Sequence, residues 1–246
     1  MSTDPQLLEV SNRVAMVSGA SRGIGEAIAR RLLDDGYRVS AGVRDVAATR
    51  EKFAGVTDDR LLIEHFDATE AESAATWLNR TLEQFGALHA LVNNAGIWRQ
   101  VNFETEDEGP LDELWEVNVK GPFRLIRLAL PHLRSCGSGR IINVASTDGV
   151  RFRDTSCSVG YTMSKHALVA MSHAARQFGY EDGVRVTALC PGAVATELVA
   201  GVPGVTPIAE QLAPDTVAHI VATLLGLPNN ASVAWMPVNT RLESTV

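Results

Sequence analysis

Val14-Ala15-Met16-Val17-Ser18-Gly19-Ala20-Ser21-Arg22-Gly23-Ile24-Gly25 is the stretch that decides the fold. Val14 to Ser18 is apolar without alternation, the form of a strand covered on both faces. A glycine cluster follows directly. Ile24 to Asp34 then places apolar residues at 24, 28, 29, 32 and 33, one face of a helix that Gly36 ends as a C-cap. Strand, glycine turn and helix N-terminus in that order converge backbone N–H groups and the positive end of the helix on one point. Such a point binds an anion, here a pyrophosphate. Gly19 serves tight turning, Gly23 close approach of backbone to ligand, and Gly25 close helix-to-strand packing. Three glycines in a turn also occur purely as a packing device, so the strand-turn-helix context carries the argument.

Outward from this turn, short β-branched runs alternate with helical patterns along the whole chain. Strands are expected at Val14–Ser18, Arg38–Val43, Leu61–Phe66, Ala90–Val92, Arg140–Val144, Val184–Leu189 and Ser232–Met236. Leu111–Leu133 reads as one long helix with Gly121-Pro122 inside it, and Tyr161–Phe178 as another ended by Gly179. The pattern predicts an α/β fold, a Rossmann-type doubly wound parallel sheet of about seven strands with helices on both faces. Residues 1–246 are expected to form a single dinucleotide-binding and catalytic domain. Val199 to Pro214 has no clear period and holds Pro203, Pro207 and Pro214, which marks residues 197–214 as a substrate loop over a site.

Composition narrows the partners. The 246 residues carry 22 Lys plus Arg against 29 Asp plus Glu, a formal charge of -7, with the basic residues scattered. That gives no footprint for nucleic acid or an anionic membrane. Cys136, Cys157 and Cys190 are odd in number and widely spaced, so no metal site is expected and a reducing cytoplasm fits. Met1 to Asn12 is acidic, and the first apolar run is too short for a signal peptide. Thr216 to Thr240 lacks formal charge, but Gly226, Pro228, Asn229 and Asn230 break it into a buried helix, a turn and a buried strand rather than a membrane span.

Further motifs follow in order. The turn has the spacing Gly-x-x-x-Gly-x-Gly; Asn93-Asn94-Ala95-Gly96 follows the fourth strand, Tyr161-Thr162-Met163-Ser164-Lys165 opens a helix, and Pro191-Gly192-Ala193-Val194-Ala195-Thr196 follows the sixth strand. Together they resemble the short-chain dehydrogenase/reductase family from about residue 12 to 198. The resemblance implies hydride transfer between a nicotinamide dinucleotide and a carbonyl or alcohol, with Asn118, Ser146, Tyr161 and Lys165 as the catalytic set. It implies cofactor contacts from Gly19, Ser21, Arg22, Gly23, Ile24 and Gly25 in the turn, and from Arg44, Asp67, Asn94, Ala95 and Gly96 beyond it. Tyr161, Lys165, Pro191, Gly192, Val194 and Thr196 complete that set.

The chemistry of these residue types agrees. Tyr161 and Lys165 lie four apart at a helix start, so their side chains are about 40° apart on one face. Hydride delivery to a carbonyl creates an alkoxide that must be protonated, and a free phenol, with a pKa of about 10, is poorly matched to neutral pH. A neighbouring ammonium favours phenolate. The resemblance makes Tyr161 the acid in reduction and the base in oxidation, with Lys165 lowering its pKa and holding the cofactor ribose. The same pair in another context is an amphipathic helix edge. Ser146, chosen over Thr147 by its placement relative to Gly149, can donate to the substrate oxygen as charge develops, or simply cap a turn. Asn118 matches the family residue that helps hold a water in a relay to the lysine.

The second strand ends Gly42-Val43-Arg44-Asp45. Val43 stands where the family's NAD enzymes carry Asp, while Arg44 and Arg22 can clamp a 2'-phosphate, which favours NADP(H) over NAD(H). The alternative makes both arginines solvated surface charges. Asp45 is expected to point away, and Asp67 either borders the adenine or caps the following turn. Ser146 and Tyr161 are 15 apart, about two more than is usual in the family, and the extra residues fall in Val150 to Gly160. Trp98, Phe152 and Arg153 are therefore the substrate candidates, with Arg151 or Arg153 either a carboxylate receptor or an exposed loop arginine. Trp235-Met236-Pro237-Val238-Asn239 departs from the family's commoner strand and Asp-Gly-Gly ending and is similar to the branch of small hydroxy-acid and aldehyde reductases.

The expected function is an NADP(H)-dependent oxidoreductase interconverting a carbonyl and an alcohol, acting as a reductase on a small substrate and assembled as a homotetramer or dimer. A catalytically silent dinucleotide sensor and an NAD(H)-dependent alcohol dehydrogenase are the alternatives. The four-residue Tyr–Lys spacing disfavours enoyl reductases, and residues 198–246 are too few for an epimerase's substrate domain.

Overall fold

Apolar runs without alternation become buried strands. The computed structural model describes residues 7–202 and 204–240; the readings on Met1 to Gln6 and on Pro203 lie outside the described residues. In chain order the elements are β1 (Val14–Ser18), α1 (Gly23–Asp34), β2 (Arg38–Val43), α2 (Val46–Lys52), β3 (Leu61–His65), α3 (Ala71–Phe85) and β4 (Ala90–Asn93). There follow α4 (Gly109–Trp115), a π-helical turn (Glu116–Lys120), α5 (Gly121–Ser135), β5 (Arg140–Val144), α6 (Val159–Gly179), β6 (Arg185–Pro191), α7 (Pro214–Gly226) and β7 (Trp235–Val238).

The strands form one sheet, all neighbours parallel, in the order β3-β2-β1-β4-β5-β6-β7. The order reverses between β1 and β4, and such a switch point opens a crevice at the carboxyl ends of the strands. One face is closed by α1 and α7 through Ile28, Leu32, Val221 and Leu225. The other is closed by α3 and α5 through Trp77, Leu78, Leu125 and Leu133. At the opposite edge the carboxyl ends of α5, α6 and α7 converge, and Arg13, Arg140 and Arg185 donate to the carbonyls of Ser138, Leu227 and Tyr180. Cations there offset the negative helix ends. Burial, with Arg13 and Arg185 nearby, pulls Arg140 down to about 10.

One expectation is corrected. The last strand is not buried: β7 pairs only with β6, Trp235 is 45% exposed, and Pro237, which has no N–H to donate, is at home on an edge. The helix expected over Leu111–Leu133 is present, running without a gap from Gly109 to Ser135, and it carries a π turn at Glu116–Lys120 just before Pro122. The 197–214 loop is partly ordered, with 3₁₀ turns at Glu197–Val199 and Ile208–Glu210 and a bridge from Val194 to Leu212. Among the described residues no helix is long and apolar enough to cross a membrane.

Candidate active site

The glycine turn is held from beneath by groups at the end of β4. Ser18 Oγ accepts from the Asn94 and Ala95 amides at 3.0 Å, and Asn94 Nδ2 donates to the carbonyls of Ser18 and Gly19 at 3.0 and 3.2 Å. Gly19 and Gly23 have φ of 68° and 56°, the left-handed region that favours glycine. A Cβ on Gly25 would lie 2.2 Å from Gly19 O and 2.4 Å from Asn94 Nδ2, so this glycine packs against the turn itself and not against a strand. The N-terminus of α1 has no side-chain cap. Its amides are left for a ligand, and the turn fits a dinucleotide pyrophosphate.

The reaction residues meet where α6 crosses the end of β5. Ser158 caps α6 by accepting from the Tyr161 amide at 3.1 Å. The 3₁₀ turn Thr147–Gly149 presses on α6 so closely that a Cβ on Gly149 would lie 2.9 Å from Lys165 O. Ser146 is thereby brought beside Tyr161. Its Oγ accepts from the Asp148 amide at 3.1 Å, which leaves its O–H free to donate into the cavity. Lys165, 4% exposed, donates from Nζ to Val144 O at 2.9 Å and lies 5.6 Å from the centre of the Tyr161 ring.

The expectation of a depressed phenol is corrected here. Burial and the charge of Asp148 push Tyr161 above its ordinary value, with only the Ser146 hydrogen bond opposing them. The Lys165 ammonium is turned to the Val144 carbonyl instead. Burial pulls Lys165 itself down to about 8, opposed by Cys190.

Asn118 sits in the π turn, fully buried. Its Oδ1 accepts from Ile97 N at 2.9 Å, and its Nδ2 donates to Ile97 O at 2.9 Å and Ser164 Oγ at 3.1 Å. A side chain on Gly96 would come between Asn118 Oδ1 (3.3 Å) and Lys165 Nζ (3.6 Å), so glycine keeps that space open. π turns recur at functional sites. Among the described residues no cluster of His, Cys, Asp or Glu could hold a metal ion.

The turn and the reaction residues line one cavity of about 1290 Å³. The chain matches the short chain dehydrogenase family over residues 13–203. It belongs to that family. Agropine synthesis reductase of Rhizobium rhizogenes is 37% identical over 232 residues, 94% of this chain and 53% of that protein, so this chain spans about half the length of that curated relative. A 3-ketoacyl-(acyl-carrier-protein) reductase from Brucella melitensis complexed with NADH superposes with a TM-score of 0.85 at 29% identity, covering 94% of this chain and 98% of that one. An alcohol dehydrogenase from the archaeon Thermococcus sibiricus complexed with 5-hydroxy-NADP gives 0.84 at 34% identity, covering 95% and 100%.

In this short-chain dehydrogenase the cavity wall near β2 holds Arg22, Val43, Arg44 and Asp67. Asp45 caps α2, accepting from Ala48 N at 3.0 Å, and does not line the cavity. Asp67 lines the cavity and holds the following turn, accepting from the Thr69 amide and hydroxyl at 2.8 and 2.7 Å. Partial burial would raise its pKa, but those Thr69 hydrogen bonds, with Arg44 and His65, hold it low. Arg22 forms an ion pair with Glu197 across the mouth, tying the glycine turn to the loop after β6. Ile24, Ala95, Gly96, Pro191, Gly192, Val194 and Thr196 line the same cavity; Gly25 and Asn118 stand behind its wall.

At the substrate side Trp98 and Arg153 line the cavity and Phe152 does not. Arg151 and Arg153 face inward on either side of it, so the intervening ring faces out and is 50% exposed. Sequence reasoning missed Ser18 and Ser158, which position the glycine turn and Tyr161. A serine three residues before Tyr161 is a capping signal that could have found the second; nothing local marks the first.

Proposed function

We propose that the protein interconverts a carbonyl compound and an alcohol by hydride transfer, with NADP(H) preferred over NAD(H), and works as a reductase on a small substrate. The observation that carries this is that Ser146, Tyr161 and Lys165 line the same cavity as the glycine turn at the uncapped N-terminus of α1. The bound dinucleotide supplies or accepts the hydride. Ser146 donates to the substrate oxygen as negative charge gathers there, and Tyr161 gives that oxygen its proton. A phenol held above its ordinary value stays protonated at neutral pH, loaded for reduction. Lys165, whose ammonium rests on the Val144 carbonyl, holds positive charge beneath the ring and would hold the nicotinamide ribose of a bound dinucleotide, and Asn118 fixes the loop that carries Gly96.

Support for NADP(H) comes from Arg22 and Arg44 on the cavity wall, with the apolar Val43 at the end of β2 in place of an acid. Gly19, Ser21, Gly23 and Ile24 cradle the phosphates in this proposal. Asp67 and Asn94 to Gly96 border the adenosine, and Pro191, Gly192, Val194 and Thr196 the nicotinamide. Trp115, Phe123 and Phe178 are exposed on α4, α5 and α6, which supports self-association through those helices. The three free cysteines suit a reducing compartment.

The test is oxidation of NADPH and of NADH, followed by absorbance, across a panel of ketones and aldehydes. Carbonyl-dependent oxidation faster with NADPH is the expected result. Tight NADPH binding with no carbonyl or alcohol turned over would overturn the reading in favour of a silent sensor.

A further inference from the structure

We propose that the substrate carries a carboxylate as well as its carbonyl and that Arg153 receives it. The inference rests on the reading that Ser146 and Tyr161 act on that carbonyl. Away from the cofactor wall and the reaction residues, the cavity holds few charged side chains. Arg151 is among them, and Arg99 pairs at 2.8 Å with Glu113, which lines the cavity too, whereas Arg153 pairs at 3.0 Å with Asp154, which does not. Arg153 Nε donates to Asp154 Oδ2 and its Nη2 to Ser156 Oγ, both at 3.0 Å. Those two partners are fixed to one another, with Ser156 N and Oγ donating to Asp154 Oδ1 at 2.9 and 2.5 Å.

Asp154 does not line the cavity, so the guanidinium is gripped from behind while its own face is presented inward. Its side chain is only 23% exposed. Nη1 has no hydrogen-bond partner among the described residues. The substrate loop meets it through Gly204, where a Cβ would lie 2.9 Å from Ser156 Oγ and 3.2 Å from Arg153 Nη2. An arginine held in one orientation with donors left over is suited to a planar carboxylate.

Arg153 lines the same cavity as Ser146 and Tyr161, so the chemical class is an oxo acid.

The test compares 4-oxopentanoate, 5-oxohexanoate and 6-oxoheptanoate with their methyl esters and with 2-oxopentanoate, in wild type, Arg153→Gln and Arg153→Lys. Losing one charge-assisted pair corresponds to about 10- to 100-fold in kcat/KM. The wild type is expected to prefer at least one of these acids over its ester by that factor. Arg153→Gln should erase the preference through KM, with ester kinetics and NADPH affinity unchanged, and lysine should restore part of it. Equal use of acid and ester by the wild type, or an acid preference that survives Arg153→Gln, overturns the proposal. A second readout needs no turnover: thermal stabilisation of the NADPH-loaded protein by the oxo acid, present in wild type and absent in Arg153→Gln. Stabilisation of that kind without turnover of any compound would overturn the carbonyl reading and leave the assignment of Arg153 standing; stabilisation equal in both proteins would sink the assignment.

Discussion

Replacing Lys165 by methionine should make the protein more stable at neutral pH while abolishing its chemistry. The ammonium is buried beneath Tyr161 and is held to about 8 against an ordinary 10.5. At about 1.4 kcal/mol per pH unit of displacement, keeping it charged at neutral pH costs about 3 kcal/mol. Methionine fills a similar volume without that cost, but it leaves the Val144 carbonyl without its 2.9 Å donor, a loss of about 1 kcal/mol. The net gain is about 2 kcal/mol near pH 7, or about 4 to 8 °C in Tm for a chain of this size. The sign with pH follows from proton binding. Above the folded value the unfolded chain holds a proton that the native state has released, so wild-type stability rises with pH between about 8 and 10.5. Methionine has no such dependence. Its advantage should shrink by about 2 kcal/mol between pH 8 and pH 9.5. Urea unfolding of both proteins at pH 7, 8 and 9.5 reads this directly. A methionine variant less stable than wild type at pH 7, or a difference independent of pH, would refute the argument that burial strains this charge.

Glu197→Gln should free Arg22 from its ion pair and tighten NADPH severalfold while leaving NADH nearly unchanged; equal effects on both dinucleotides, read by fluorescence titration, would count against Arg22 as a 2'-phosphate ligand. Gly25→Ala should destabilise the fold by about 1 to 3 kcal/mol and weaken both dinucleotides, since the new methyl would collide with Gly19 O and Asn94 Nδ2; calorimetry showing wild-type Tm would contradict the packing described. Because burial and Asp148 hold Tyr161 high, the ultraviolet difference titration of ligand-free wild type minus Tyr161→Phe should show no phenolate signal below about pH 10; a signal near neutrality would show that Lys165 reaches the hydroxyl after all.

The layered fold was legible because Val14–Ser18, Arg38–Val43 and Arg140–Val144 are apolar runs bounded by turn residues, a pattern that only a sheet covered on both faces produces. The edge position of β7 was not. An uncharged stretch such as Thr216 to Thr240 is compatible with burial or with an interface, and the choice is made by which strand lies beyond it. The π turn was hidden because one extra residue per turn leaves the apolar pattern of Glu116–Lys120 almost unchanged, while tertiary contact of Asn118 with Ile97 and Ser164 selects it. Residue spacing brought Tyr161 and Lys165 together correctly, but it carries no information about desolvation or about the Val144 carbonyl that captures the ammonium. Phe152 was misassigned between two arginines because side-chain direction in an irregular loop has no period to read.

The central claim is that Tyr161 hands a proton to an oxygen in a cleft that also holds the dinucleotide. Single-turnover oxidation of bound NADPH by a carbonyl substrate, wild type against Tyr161→Phe, tests it most directly. The variant should bind NADPH within about twofold of wild type and react at least about 100-fold more slowly. Reaction at an undiminished rate in the phenylalanine variant would contradict it.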